Sequence, residues 1–575
     1  MYGGKIMKLR GKLISVIVVI AVIVIMAVFL IIKFSPSTEV MPLKDYFATS
    51  GEEMTIILQN EIIEETGYYR EKTPYLRHEM VKNTFNDRFY WSAKDKIMIY
   101  TTPTEVIKVV PETNEYTVDK EVVQTDYTVV TMINEEPYIA APFVKMYSDI
   151  DYKAVKKPNR IMIRSEWGVN EQFAIVAKDA ALRYEPSIKS PILVELAEGD
   201  EVVFVASGEE LEDGFSKVIS SKGVIGYVKS NRLEESEYRT VTSSFVAPEY
   251  THITKDYDIC MVWHQTTTEA ANENLLYMLN ATKGVNTISP TWFAISDNKG
   301  GVSSIASERY VARAHEAGVE VWGLCNDFGE KSDIDIAAIM ADTKVRERLV
   351  NKLVSLALEY DLDGLNIDFE MIPEAAGEDY IQFIRELSVK CRLNNLVLSI
   401  DNYIPTDYRK YYDYNEQGNV ADYIVIMAYD EHYSGGGVAG SVSSLPFVSK
   451  AVEDIKKDVN PEQVIMALPF YTRVWHVTHE ADGNEKVTSE AYGMTSANNL
   501  LHDYGVKASW DEATGQYYAE WDEGNQVNKI WLEEERSLGE KLKVVTSGGI
   551  KNVAFWKMGF ENTESWNVIA DYINR

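Results

Sequence analysis

Through the second half of the chain, short apolar runs alternate with stretches whose apolar residues recur every three or four positions. The runs predict strands at 259–264, 287–295, 319–324, 364–370, 396–400, 423–429, 464–470 and 553–558. Between them, spacing such as Val345, Leu349, Leu353 and Leu356 predicts helices. Eight strands with helical segments between them, over about 325 residues from Tyr250, predict an α/β chain ending in a single (β/α)8 TIM barrel. The unbroken apolar run Tyr423-Ile424-Val425-Ile426-Met427-Ala428 fits a strand covered on both faces.

One strand breaks the apolar rule. Residues 363–370 read Asp-Gly-Leu-Asn-Ile-Asp-Phe-Glu. Strand side chains alternate in direction, so Leu365, Ile367 and Phe369 can pack outward while Asn366, Asp368 and Glu370 share the other face. Gathered acids raise each other's pKa by repulsion and desolvation, which suits chemistry that needs a protonated acid. Glu370, last in the row, is the natural proton donor. A half-exposed edge strand with a wet acidic face would give the same row, and the flanking helical stretches argue for the barrel instead. Active sites of such barrels lie at the strand C-terminal ends, where Glu370, Tyr429, Asp430 and Trp556 all fall. Core packing is the plainer role for an aromatic such as Tyr429 or Trp556.

These residues resemble the family 18 glycoside hydrolases, which include chitinases and peptidoglycan N-acetylglucosaminidases. The family's D-G-x-D-x-D-x-E strand is matched by Asp363, Gly364, Asp368 and Glu370, and its M-x-Y-D by Met427, Tyr429 and Asp430. A later G-L-P-F-Y-G pattern is approximated by residues 467–472, and a final-strand Trp by Trp556. The resemblance covers the chain from about Tyr250 onward. It departs at Asn366, where most chitinases carry an Asp that shares a proton with the last Asp. Asn366, together with Ser289-Pro290-Thr291-Trp292-Phe293, looks like the branch found in spore-forming bacteria, whose members cut peptidoglycan.

The resemblance implies a substrate-assisted, retaining mechanism. Asp368 and Glu370 are roughly 7 Å apart along one strand and approach the sugar from one side. A conventional retaining pair instead brackets the bond at about 5 to 5.5 Å. The substrate's 2-acetamido oxygen would therefore attack the anomeric carbon while Glu370 protonates the leaving oxygen. Asp368 and Tyr429 would orient the acetamido group. Asp430, Asn366 and Met427 would belong to the sugar-binding set, and Trp556 would floor it. No cofactor and no metal are implied, and no His/Cys cluster suggests a metal site.

The N-terminal segment decides where such chemistry would occur. Lys5, Lys8, Arg10 and Lys12 precede an apolar run at 13–32, long enough to span a bilayer. A cleaved signal peptide competes with this reading, but no A-x-A site follows, so a signal-anchor is expected, with residues 1–12 cytoplasmic and the rest outside. After a linker at 33–51, residues 52–168 repeat internally: Pro74-Tyr75-Leu76 recurs as Pro137-Tyr138-Ile139, and Lys96-Ile97-Met98-Ile99 as Arg160-Ile161-Met162-Ile163. This segment resembles a stalk module related to the N-terminal domain of copper amine oxidases. Residues 172–235 show short β runs with turns at Gly199, Asp213-Gly214 and Gly223, and resemble a bacterial SH3-like barrel that binds peptidoglycan or acts as a spacer. The barrel is expected at 250–575, with insertions at 411–420 and 476–495 lining its cleft.

The net charge of −31 argues against nucleic acid and anionic headgroups as partners. The expected partner is peptidoglycan or another N-acetylglucosamine-containing glycan, gripped by stacking and hydrogen bonds. Cys260, Cys325 and Cys391 read as packed thiols. A chitinase, or an idle barrel that only binds glycans, would keep much of this sequence. Retention of Glu370 favours the enzyme.

Overall fold

The computed structural model describes residues 3–205, 214–328, 333–480 and 485–573, with side chains from residue 12. The basic side chains of Lys5, Lys8 and Arg10 and the turn signal at Asp213 lie outside the described residues. The chain divides into two compact units, one made of 1–89, 109–116 and 122–247, the other of 90–108, 117–121 and 248–575.

The second unit contains a closed, parallel eight-stranded barrel. Its strands are β1 (Cys260–His264), β2 (Thr287–Pro290), β3 (Glu320–Asn326), β4 (Gly364–Asp368), β5 (Val397–Tyr403), β6 (Tyr423–Met427), β7 (Val464–Pro469) and β8 (Asn552–Trp556). Each pairs in parallel with its neighbours, and β8 closes onto β1. All eight predicted strands are present. Several boundaries moved: β2 breaks at Thr291, β3 ends at Asn326 and β5 at Tyr403, beyond the expected 324 and 400, while β4, β6 and β8 end at Asp368, Met427 and Trp556, short of the expected 370, 429 and 558.

Period-two alternation sorts the strand residues into two layers. Met261, Trp263, Trp322, Leu324, Val397, Tyr423, Val425, Ile465 and Ala554 fill the barrel interior. Their sequence neighbours, among them Val262, Val321, Leu365, Ile367, Leu398, Ile400, Ile424, Ile426 and Phe555, face the helices. Gly364 is required by close approach, because a Cβ there would lie 2.7 Å from the Val397 carbonyl oxygen. Asp363, the first acid of the signature, works at the far end from the cavity. Its carboxylate accepts the Val321 N–H and meets His315 Nε2, both at 2.8 Å, tying β3 to the helix Glu308–Glu316.

Between β7 and β8 the chain builds a five-stranded antiparallel sheet with its own small core of Val474, Leu501, Ala519, Ile530 and Leu532. Residues 90–108 also pack in this unit: Tyr90, Ile99 and Val106 cluster with Val389, and Tyr90 donates to Asp379 at 2.5 Å.

In the first unit, a seven-stranded sheet carries the inner strands of the internal repeat. Strand Thr73–Arg77 pairs antiparallel with Glu136–Ala140, aligning Leu76 with Ile139, and each strand runs into a seven-residue helix. A second seven-stranded antiparallel sheet spans Asn170–Thr240. Its core of Val176, Leu182, Val202, Val218 and Val228 also takes in Phe47 and Ile57. The helix Gly3–Phe34 contains a stretch, Lys12–Phe34, long and apolar enough to cross a membrane, with none of its apolar window buried.

Candidate active site

A cavity of about 400 Å³ opens at the C-terminal ends of the barrel strands. Asp368, Glu370, Met427, Tyr429, Asp430 and Trp556, all singled out from the sequence, line it. Asn366, the seventh, is fully buried just beneath.

Asp368 is the last residue of β4, and Glu370 lies two residues past the strand end. What holds Glu370 there is Asp327, immediately after β3: its carboxylate accepts the backbone N–H of Glu370 at 3.1 Å and of Met371 at 2.8 Å. Tyr412 adds a hydrogen bond to the Phe369 carbonyl at 3.1 Å. Phe369 itself is buried against Tyr380 and Phe383, so the backbone is pinned from both sides. Burial pushes Asp327 up to about 6, partly offset by the N–H groups it accepts.

Electrostatics follow from crowding. Burial and, after it, the neighbouring Asp401, Glu370 and Asp327 carboxylates hold Asp368 well above the ordinary carboxylate range. Burial likewise raises Glu370, opposed by a hydrogen bond with Tyr403 and by the Arg409 charge. A raised pKa keeps a proton on a carboxyl near neutrality, which a general acid needs. Asp368 Oδ1 is buried without a hydrogen-bond partner. An orphaned buried acceptor is costly, and a donor brought beside it would relieve that cost.

Asn366 occupies a closed polar pocket. Trp263 Nε1 and Ser289 Oγ donate to its Oδ1 at 3.0 and 2.9 Å, while its Nδ2 donates to Ser399 Oγ at 3.0 Å and Asp401 Oδ1 at 2.6 Å. Since the indole N–H can only donate, the orientation of the amide is fixed. Asn366 is thus sealed below the cavity and does not line it.

Around the rim, Tyr429 packs edge-on against Tyr471, whose hydroxyl donates to Asp430 at 2.5 Å. Asp430 takes a left-handed backbone (φ 55°), which Asp tolerates better than most residues and which turns its side chain toward Tyr471. Trp556, at the end of β8, lies edge-on to Trp263 with ring centroids 5.8 Å apart. The apolar ring surface beside the acids can take the C–H face of a sugar.

Sequence reasoning missed Trp263, Asp327, Asp401 and Tyr403. For Asp401 and Tyr403 the signal was present: they continue the alternation of Ser399 against outward Leu398 and Ile400. The two insertions expected at the cleft are elsewhere. Residues 411–420 are largely the helix Tyr414–Val420, packed behind β5 and β6, and the described part of 476–495 belongs to the five-stranded sheet; neither lines the cavity.

Comparison with known proteins gives a consistent result. Residues 328–561 match the model of glycosyl hydrolases family 18, a span that takes in β4 to β8. The chain is 26% identical over 297 residues to the uncharacterized glycosylase YvbX of Bacillus subtilis (strain 168), covering 50% of this chain and 84% of that protein. It is 24% identical over 243 residues to the cortical fragment-lytic enzyme of Bacillus anthracis, but spans only 55% of that protein's length. The solved structure of the Bacillus cereus spore cortex-lytic enzyme SleL has the same fold, with a TM-score of 0.50 at 20% identity, over 59% of this chain and 79% of that one.

Proposed function

We propose that this chain, a glycosidase carrying a family 18 glycosyl hydrolase domain, cleaves β-1,4 bonds after N-acetylglucosamine in peptidoglycan, anchored by its N-terminal helix and facing outward. The observation that carries the reading is the convergence of Asp368, Glu370 and Tyr429 on one cavity beside Trp556. Relatives named as cortical fragment-lytic enzymes and the motif branch around Asn366 support peptidoglycan over chitin.

The chemistry follows from what each group can do there. Glu370, whose pKa burial raises, donates its proton to the glycosidic oxygen as the leaving group departs. The substrate's own acetamido oxygen attacks the anomeric carbon, giving an oxazolinium ring that water opens with net retention. Asp368 receives the acetamido N–H and stabilises the positive charge that develops. Tyr429 holds the acetamido oxygen in line, and Trp556 supports the sugar's apolar face. Asp430 contacts the bound sugar, while Asn366 and Met427 shape the base of the subsite. Once Glu370 has lost its proton it becomes the base that activates the incoming water. Within 52–168, the residues outside 90–108 and 117–121 act as a stalk, and 172–235 as an SH3-like module that grips the wall.

The test is mass spectrometry of products released from purified peptidoglycan and from chitin oligomers by the detergent-solubilised full chain, beside Glu370→Gln. Muropeptide fragments with reducing N-acetylglucosamine ends, absent with Glu370→Gln, are expected. Release from chitin alone would replace the substrate, and retention on peptidoglycan with no product from either glycan would leave a binding barrel.

A further inference from the structure

The Asn366 departure from the family pattern removes a carboxyl from β4, and β5 returns one. In the β4–β5 ladder Asn366 is level with Ser399, and Ile367 with Ile400. One step further the same register sets Asp368 beside Asp401, about 4.8 Å apart between strands and on the same inward face. Both line the cavity, and their exposures are 8% and 2%.

Asn366 cannot serve as Asp368's proton partner. Its Oδ1 already accepts from Trp263 and Ser289, and both its N–H groups are used on Ser399 and Asp401. Asp327 spends its carboxylate on two backbone N–H groups, and Glu370 must keep its proton for the leaving group. Asp430 is taken by the Tyr471 hydroxyl, so among the described carboxyls lining the cavity that leaves Asp401, whose Oδ1 is held at 2.6 Å by the Asn366 amide.

We propose that Asp401 is a positioning residue that shares one proton with Asp368, supplying from β5 the carboxyl that Asn366 lacks. This rests on the glycosidase reading for its catalytic meaning. At rest the proton lies between the two carboxyls. As positive charge develops on the acetamido group, the proton settles on Asp401 and Asp368 is left as the carboxylate facing that charge. The pair neither gains nor loses a proton. The titratable groups facing it are Glu370, Asp327, Cys325, Tyr380, Tyr403 and Tyr429; burial and, after it, the neighbouring acids keep the shared proton bound, opposed at Asp401 by the Asn366 and Trp263 donors.

The test compares the full chain with Asp401→Asn and with the exchange Asn366→Asp/Asp401→Asn, which moves the carboxyl back to β4 and preserves the hydrogen bond between the two positions. Two readouts are taken: the pH profile of kcat on peptidoglycan, and the pH dependence of thermal unfolding. Asp401→Asn is expected to lower kcat about tenfold or more with KM within about twofold, and to shift the basic limb toward acid, because Asp368 loses the neighbour that raised it. It should also flatten the loss of stability as pH rises above the ordinary carboxylate range. The exchange should restore both. A pH profile and an unfolding dependence both unchanged in Asp401→Asn, or an exchange no better than the single variant at equal stability, would overturn the proposal. If Asp401→Asn does not fold, the exchange alone decides, by keeping or losing the wild-type basic limb. If no variant, wild type included, cleaves any glycan, the glycosidase reading fails, and the unfolding dependence still judges the shared proton.

Discussion

Glu370 and Asp327 have separate tasks that their partners define. Glu370 supplies the proton, so Glu370→Gln is expected to cut kcat about 10²- to 10⁴-fold with little change in KM, as measured by steady-state release of reducing ends. Because burial raises its pKa, activity should persist above the ordinary carboxylate range and fall as pH rises through the raised value. A basic limb at the ordinary glutamate position would contradict this. Asp327 aims Glu370 by accepting two backbone N–H groups. Asp327→Asn turns one acceptor into a donor, and about a tenfold loss of kcat is expected. The same group carries a stability signature. With its pKa raised from 3.8 to about 6, its contribution is fully present below about pH 4 and lost as pH rises through about 6, roughly 3 kcal/mol in all. Denaturant midpoints taken from pH 4 to 7 should fall less steeply in Asp327→Asn than in wild type. Asp368 and Glu370 were legible because they alternate with buried apolar residues. Asp327 was not, since an Asp just past a strand end is indistinguishable in sequence from a solvated loop acid.

At the scale of elements, the barrel's layers rest on period-two burial. Ile465 is fully buried in the inner layer, and Ile465→Ala should cost about 2 to 5 kcal/mol by urea unfolding, since a closed ring of strands relaxes little around a cavity. Trp556, half-buried at the strand end, is a different case. Trp556→Ala should raise KM about tenfold and leave stability nearly unchanged, whereas a large stability loss would mark it as core instead. Strand positions were readable because a parallel strand buried on both faces has an apolar signature. Residues 411–420 were expected at the cleft as an insertion between strands, and a stretch between β5 and β6 does not reveal from its sequence which end of the barrel it covers. Tyr412 and Tyr414 instead bury their rings behind the barrel and hydrogen-bond the Phe369 and Tyr403 carbonyls.

At the scale of the molecule, the apolar helix sets the expected location. Removing residues 1–33 should move the protein from the membrane fraction to the soluble fraction, tested by fractionation and alkaline extraction, with the barrel's activity on free glycan strands kept. Persistence of the truncated chain in membranes would assign anchoring to another segment. With a net charge of −31 against an anionic polymer, wall binding should not weaken as salt rises, because screening relieves repulsion.

The sequence by itself determined the barrel, its strand order, the acid row on β4 and the apolar N-terminal span. All of these are written in periodicity or in the local run of residues. Only the tertiary structure decided which groups become neighbours across strands. Asp401 sits beside Asp368 because two parallel strands share a register. Asp327 reaches Glu370 because β3 and β4 end side by side. Asn366 is sealed away from the cavity because donors on β1 and β2 converge on it. Such contacts join residues up to 103 positions apart, and local pattern carries no record of them, since closing the barrel is what brings them together.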